Sequence, residues 1–191
     1  MTSHSQSNCA SSKTVVLGVS GSIAAYKAAE IASLLHKAGH DVHVVMTPNA
    51  TSFITPLTLA TLSHNPVLSE LLKENEGAVK TGHIELADRA DLLLVAPATA
   101  SCIARLAYGF ADDSLGAVAL ATRAPVLVAP AMNGKMWEHP ATRENTQRLI
   151  ERGVQFVGPA EGMLACGYEG IGRLAEVDEI IVRAEQLLAI R

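Results

Sequence analysis

The sequence predicts an α/β fold, a doubly wound parallel sheet held between two helical layers (three-layer α/β/α) in a single domain. Three observations carry this expectation. Short apolar runs, above all Leu92-Leu93-Leu94-Val95, read as strands buried on both faces. Segments with helical apolar spacing separate one such run from the next, which is the pattern of strands joined in parallel through crossover helices. The chain is 191 residues long with 49% hydrophobic and 18% charged residues, enough for one sizeable core.

Taken in order, Thr14–Val19 reads as a buried strand that ends in Ser20-Gly21-Ser22. Ile23–Ala38 has helical spacing through Ile23, Ala24, Ile31, Leu34 and Leu35 and stops at Gly39. Asp41–Met46 is the second strand. Thr51–Leu62 reads as helical, with Pro56 as a break or a restart. Leu71–Gly82 is charged and reads as a loop. Asp91–Ala96 is the third strand, followed by helices over Ala100–Tyr108 and Leu115–Ala121. Pro125–Ala129 is a strand, Pro140–Arg152 a helix ended by Gly153, Val154–Val157 the last clear strand and Val177–Ile190 a terminal helix. Gly158–Gly172, with five glycines, reads as a long and weakly structured loop of the kind that is usually functional.

Bulk properties exclude several classes of function. A net charge of −4 gives no electrostatic case for nucleic acid or an anionic membrane. No apolar run reaches the roughly 18 residues that span a bilayer. The polar, Ser-rich start lacks the apolar stretch of a signal peptide, so residues 1–13 are expected to be a disordered tail before a domain over 14–191, in a cytoplasmic protein. Cys9, Cys102 and Cys166 are odd in number and widely separated, which fits neither a disulfide framework nor a metal site.

In a doubly wound sheet, ligands bind off the carboxyl ends of the strands. Five segments fall there or close by. The most telling is Pro130-Ala131-Met132-Asn133-Gly134-Lys135-Met136-Trp137, because hydrophobic patterning gives no reason for an amide, Asn133, between two methionines at a strand end. The methionines and Trp137 are packing residues by default. Gly21-Ser22-Ile23-Ala24, after the first strand, could present N–H groups and a hydroxyl to a phosphate, or could be a tight turn with Ser22 as helix cap; the strand-turn-helix context favours phosphate. The spacing is not G-x-G-x-x-G, and no acid ends the second strand, which argues against NAD and leaves a mononucleotide or simple phosphate ester. Thr47 to Phe53 could continue that site or merely cap the next helix. Thr99, Ala100, Ser101 and Cys102 offer hydroxyls and close approach; Thr99 could also cap a helix, and Cys102 is expected to pack into its start.

Two further segments could carry acid-base chemistry. His83, in Gly82–Ala87, titrates near neutrality and could act as base or acid, although a lone histidine is more often structural. Cys166, between Ala165 and Gly167 in the glycine-rich loop, reads as a reactive thiol on a lid over substrate or as an idle surface cysteine.

Taken jointly, GSIAAYK (residues 21–27), GHIELA (82–87), APATA (96–100), PAMNGKMW (130–137) and LACGYEGIGRLAE (164–176) resemble the flavin-dependent cysteine decarboxylases, in the family's order and over most of the chain. Within that family the likeness is greatest to the branch acting on phosphopantothenoylcysteine, as in the amino-terminal half of the bifunctional bacterial coenzyme A biosynthesis protein. The resemblance implies a flavodoxin-like or Rossmann-like fold, with FMN held by Gly21, Ser22, Ile23, Ala24, Thr47, Phe53, Thr99, Ala100, Ser101, Cys102 and Ala131. It implies His83 as catalytic base, Cys166 as late proton donor, and Asn133, Met136, Ala165 and Gly167 as substrate contacts. No metal is implied. Family members form trimers, often assembled into dodecamers, with FMN and His83 brought together across subunits. The implied reaction oxidises the thiol-bearing carbon transiently, so that the carbanion left by decarboxylation delocalises onto sulfur, and then reduces the enethiol to phosphopantetheine. Cys166 favours this branch over the peptide cysteine decarboxylases of lantibiotic maturation, which stop at the enethiol. Flavin prenyltransferases, and eukaryotic relatives that inhibit phosphatases, are the remaining alternatives. The family often has Asn where Ser101 stands. The ligase half common in bacteria is not in this sequence, as expected of a stand-alone enzyme, a piece of a longer one or a specialised paralogue.

Overall fold

A computed structural model describes residues 12–70, 82–163, 167 and 169–190. The central sheet has five parallel strands in the order β2-β1-β3-β4-β5. They are β1 (Thr14–Val19), β2 (Asp41–Met46), β3 (Leu92–Ala98), β4 (Val126–Pro130) and β5 (Gln155–Phe156). The chain leaves β1 to build β2 on one side and then returns to build β3 on the other. This reversal opens a crevice beyond the carboxyl ends of β1 and β3, where folds of this order bind their ligands.

Side-chain alternation explains the two helical layers. Val15, Leu17, Leu92, Leu94, Leu127 and Ala129 face one way, into a core closed by α1 (Lys27–Lys37), α2 (Pro56–Ser63) and α8 (Val177–Leu188). Val16, Leu93, Val95 and Val128 face the other way. That core is closed by α3 (Gly82–Arg89), α4 (Ala100–Tyr108), α5 (Ser114–Ala121) and α7 (Pro140–Glu151). Along α1, Ala28, Ile31, Ala32 and Leu35 form one apolar stripe at helical spacing. β3 is buried along its whole length, as its unbroken apolar run requires. Gly18 lets α5 lie directly on β1, because a Cβ there would stand 2.5 Å from Leu115 Cδ1.

Four expectations change in detail. The first helix opens as a 3-10 turn over Ile23–Tyr26, capped by Ser22, and becomes α-helical only at Lys27. The second begins with a 3-10 turn over Pro48–Ser52, and Pro56 is a restart at the first turn of α2, where its missing N–H costs nothing. Gly82 belongs to a helix, so His83 lies in the first turn of α3; the rest of the expected Leu71–Gly82 loop falls outside the described residues. Most importantly, Gly158–Gly172 is not an unstructured loop. It contains an antiparallel pair, β6 (Ala160–Met163) and β7 (Glu169–Arg173), with Glu161 opposite Ile171 and Met163 opposite Glu169. Glycine density hid these strands, since glycine ordinarily marks a turn rather than a ladder. A short helix, α6 (Gly134–Glu138), follows β4 and was also not anticipated.

Candidate active site

The carboxyl ends of β1, β3 and β4 are joined by side chains as well as by the sheet. Ser20, 2% exposed, donates its Oγ–H to Pro97 O at 2.7 Å and accepts the Thr99 N–H at 3.0 Å. Ser22 Oγ donates to Ala131 O at 3.3 Å and accepts the Ala24 N–H at 3.3 Å. The Ala131 N–H in turn reaches Ala98 O at 3.0 Å. Two serines after β1 therefore set the position of the turns after β3 and β4. Ser20→Ala is expected to destabilise the fold by about 1–3 kcal/mol, because it removes two hydrogen bonds, to Pro97 O and from the half-buried Thr99 N–H. Denaturant unfolding measures this, and a loss within experimental error would refute the clasp.

These turns surround a cavity of about 530 Å³. Gly21, Ser22, Ile23, Ala24, Thr99, Ala131, Asn133 and Met136 line it, so eight of the residues expected at a ligand site meet in one place. Asn133 also caps α6, its Oδ1 accepting the Lys135 N–H at 2.9 Å. Thr99 likewise caps α4 through Cys102 N at 3.2 Å. The capping and ligand-facing readings of these side chains thus coexist. Met136 is 49% exposed and faces the cavity rather than acting as packing, whereas Trp137 packs on the core.

Other expected residues lie elsewhere. Thr47, half-buried, donates its N–H to Val19 O at 3.0 Å, and Phe53 is exposed; neither lines the cavity. Ala100, Ser101 and Cys102 form the first turn of α4 without lining it. Helix geometry leaves the N–H groups of Ala100 and Ser101 without an intrahelical acceptor, a donor pair suited to an anion. Cys102 is 5% exposed, and burial, followed by the nearby Asp113 charge, pushes its thiol up to about 12. It is a core residue, as expected of the start of a helix, and no nucleophile at neutral pH. Gly167 is exposed and does not line the cavity, while Ala165 and Cys166 fall outside the described residues. His83, half-buried on α3, does not line the cavity of its own chain.

The β7 strand supplies the wall that sequence reading did not anticipate. The Met132 N–H donates to Gly172 O at 2.9 Å, and Gly172, Arg173 and Leu174 line the cavity beside the Asn133 turn. Lys27 faces it from α1. Among the described lining residues there is no carboxylate and no imidazole. The cavity can bind and orient, and the acid-base groups among its described lining residues are Tyr26 and Lys27. No metal-binding cluster occurs among the described residues. No helix of the described residues is long and apolar enough to cross a membrane.

Comparison with known proteins decides the family, since a flavoprotein profile matches residues 3–188. The chain belongs to the flavoprotein family. This flavoprotein is 49% identical over 178 residues to a probable phosphopantothenoylcysteine decarboxylase of Streptococcus mutans, covering 92% of the chain and 99% of the relative. It is 48% identical over 177 residues to the coenzyme A biosynthesis bifunctional protein CoaBC of Bacillus subtilis, covering 93% of the chain but 43% of that longer protein. Among solved structures it resembles a cysteine-to-serine mutant of PPC decarboxylase complexed with pantothenoylaminoethenethiol. The TM-score is 0.84 at 30% identity, covering 94% of this chain and all of that one. It also resembles the FMN-dependent cysteine decarboxylase SpaF, with a TM-score of 0.74 at 28% identity, covering 90% and 97% of the two chains. The fold is thus flavodoxin-like, as the strand order indicates.

The flavoprotein's own residues fit a flavin mononucleotide. The crevice has a wall of small side chains at Gly21, Ala24 and Ala131 for a flat ring. Hydroxyls at Ser22 and Thr99, with the amino end of α4 nearby, suit a phosphate.

Proposed function

We propose that this chain binds FMN in the crevice and decarboxylates phosphopantothenoylcysteine to phosphopantetheine. The observation that carries the reading is the seating of the Asn133 turn. A short amide and Met136 face the same cavity as the Ser22 and Thr99 cradle, so substrate and cofactor would meet there. Bound FMN supplies reversible two-electron chemistry. Asn133 orients the substrate carboxylate, Cys166 delivers the final proton, and Ala165 and Gly167 flank the substrate. Thr47, Phe53 and the first turn of α4 complete the cofactor contacts.

His83 acts as the base from a neighbouring copy of the chain. Among the described residues the cavity has no carboxylate or imidazole of its own, and its rim exposes Ile23, Tyr26, Met136 and Met163 at 63%, 63%, 49% and 68%. An apolar rim of this kind is suited to burial against a protein surface, and a trimer, alone or within a dodecamer, is the proposed assembly. A cytoplasmic setting keeps Cys166 reduced. Neither nucleic acid nor membrane is a proposed partner.

The test is anaerobic incubation of the purified protein with phosphopantothenoylcysteine, followed by mass spectrometry. Loss of carbon dioxide alone is the expected result. Loss of carbon dioxide with two hydrogens, or turnover only of a peptide ending in cysteine, would move the chain to the peptide branch. A colourless protein that takes up no FMN would overturn the flavoenzyme reading altogether.

A further inference from the structure

We propose that Arg173 is the residue by which this site recognises the phosphate of its substrate. The assignment rests on the functional reading above and extends it. Only two of the described residues lining the cavity are charged, Lys27 and Arg173, and both are cations. That local excess stands against a chain whose net charge is −4. The two come from opposite parts of the fold, Lys27 from the start of α1 and Arg173 from the end of β7.

They converge on one carboxylate. Arg173 Nη2 donates to Glu176 Oε1 at 2.6 Å, and Lys27 Nζ lies 3.7 Å from Glu176 Oε2. Two cations against one acid leave a positive excess, and Arg173 and Glu176 are both open to solvent, at 41% and 58%. The Arg173 stem lies across β6, where a Cβ on Gly162 would stand 3.2 Å from Nε. Nε itself is buried and has no hydrogen-bond partner among the described residues. A guanidinium held in this way is preorganised for an anion with several acceptor oxygens. Lys27 adds a second cation on the same wall, with its side chain only 19% exposed.

Phosphopantothenoylcysteine has two anionic groups. Its carboxylate is the reacting group and goes to Asn133 in the functional reading. The phosphate, with more negative charge and three acceptor oxygens, is the better match to the Arg173 fork. The phosphate of FMN has its own donors at the turns after β1 and β3.

The experiment compares phosphopantothenoylcysteine with dephosphorylated pantothenoylcysteine, using flavin-loaded wild-type protein, Arg173→Gln and Arg173→Lys. The wild type should favour the phosphorylated substrate. Arg173→Gln should reduce that preference in kcat/KM by on the order of tenfold or more, chiefly through KM, as loss of a charge-assisted hydrogen bond implies. Arg173→Lys, which keeps the charge, should restore part of the preference. Flavin absorbance per chain should match the wild type in both variants. An unchanged preference in Arg173→Gln overturns the assignment, as does an equal loss on both substrates, which would place Arg173 at the reacting end. Flavin loss in step with activity also overturns it, by placing Arg173 in the cofactor site. Failure of the wild type to turn over either compound overturns the functional reading and this assignment together, and is thereby distinguishable from failure of the assignment alone.

Discussion

Replacing His83 by asparagine is expected to slow carbon dioxide release by about a thousandfold while flavin stays bound. His83 sits in the first turn of α3, outside the cavity that holds the proposed cofactor contacts. Its removal therefore takes away the proposed base without touching the cradle built by Ser20, Ser22 and Thr99. Positioned acid-base groups contribute about 10²–10⁴-fold to a rate, so kcat should fall by roughly 10³. Product analysis by mass spectrometry measures the loss, and flavin absorbance per chain serves as the internal control. Full activity would refute the assignment of the base. A mixing experiment then tests where the base comes from. His83→Asn and Asn133→Ala chains, each inactive alone, should recover activity when refolded together, because some interfaces would pair an intact His83 with an intact Asn133. No recovery in a mixed oligomer would exclude catalysis across the interface.

The sequence was most readable where structure is set locally. The bounds of β1, β2 and α4 agree residue for residue with the expected segments, because alternation, apolar runs and caps are properties of a few neighbouring residues. The end of the sheet at which the site lies was also legible, since strand-helix alternation fixes a parallel sheet and its carboxyl edge. Which side chains face the cavity was less so. Cys102 belongs to the expected segment, but its side chain packs into the core, while Thr99, the extended cap residue of α4, lines the cavity. The contacts that shape the site run between distant parts of the chain. Ser20 meets Pro97 across 77 positions and Ser22 meets Ala131 across 109, and no window of neighbouring residues signals such pairs. Arg173 and Lys27 converge for the same reason, through a β-hairpin whose glycines read as a loop.

The tightest of these long-range contacts gives the largest expected structural effect. Gly172→Ala should lower thermal stability by roughly 4–10 °C and reduce turnover by tenfold or more. Gly172 has φ +137°, a conformation side chains rarely adopt, and a Cβ there would lie 2.3 Å from Met132 O and 3.1 Å from Gly134 N. Both atoms are backbone, so no rotamer change relieves the contact. Either β7 must withdraw or the Asn133 turn must shift, and either movement breaks the 2.9 Å bond from Met132 N–H to Gly172 O. Backbone strain of about 1–3 kcal/mol and loss of a hydrogen bond worth about 0.5–1.5 kcal/mol together account for the expected change in stability. The catalytic loss has a separate cause, since Asn133 lies in the displaced turn and misplacement by an ångström can cost on the order of 10²-fold. Gly153→Ala separates strain from contact. Gly153 has φ +87° but nothing within 4 Å of a built Cβ, and it lies beyond the end of α7, away from the cavity. That variant should lose some stability and keep wild-type turnover. If Gly172→Ala behaved in the same way, β7 would not be what holds the Asn133 turn against the site.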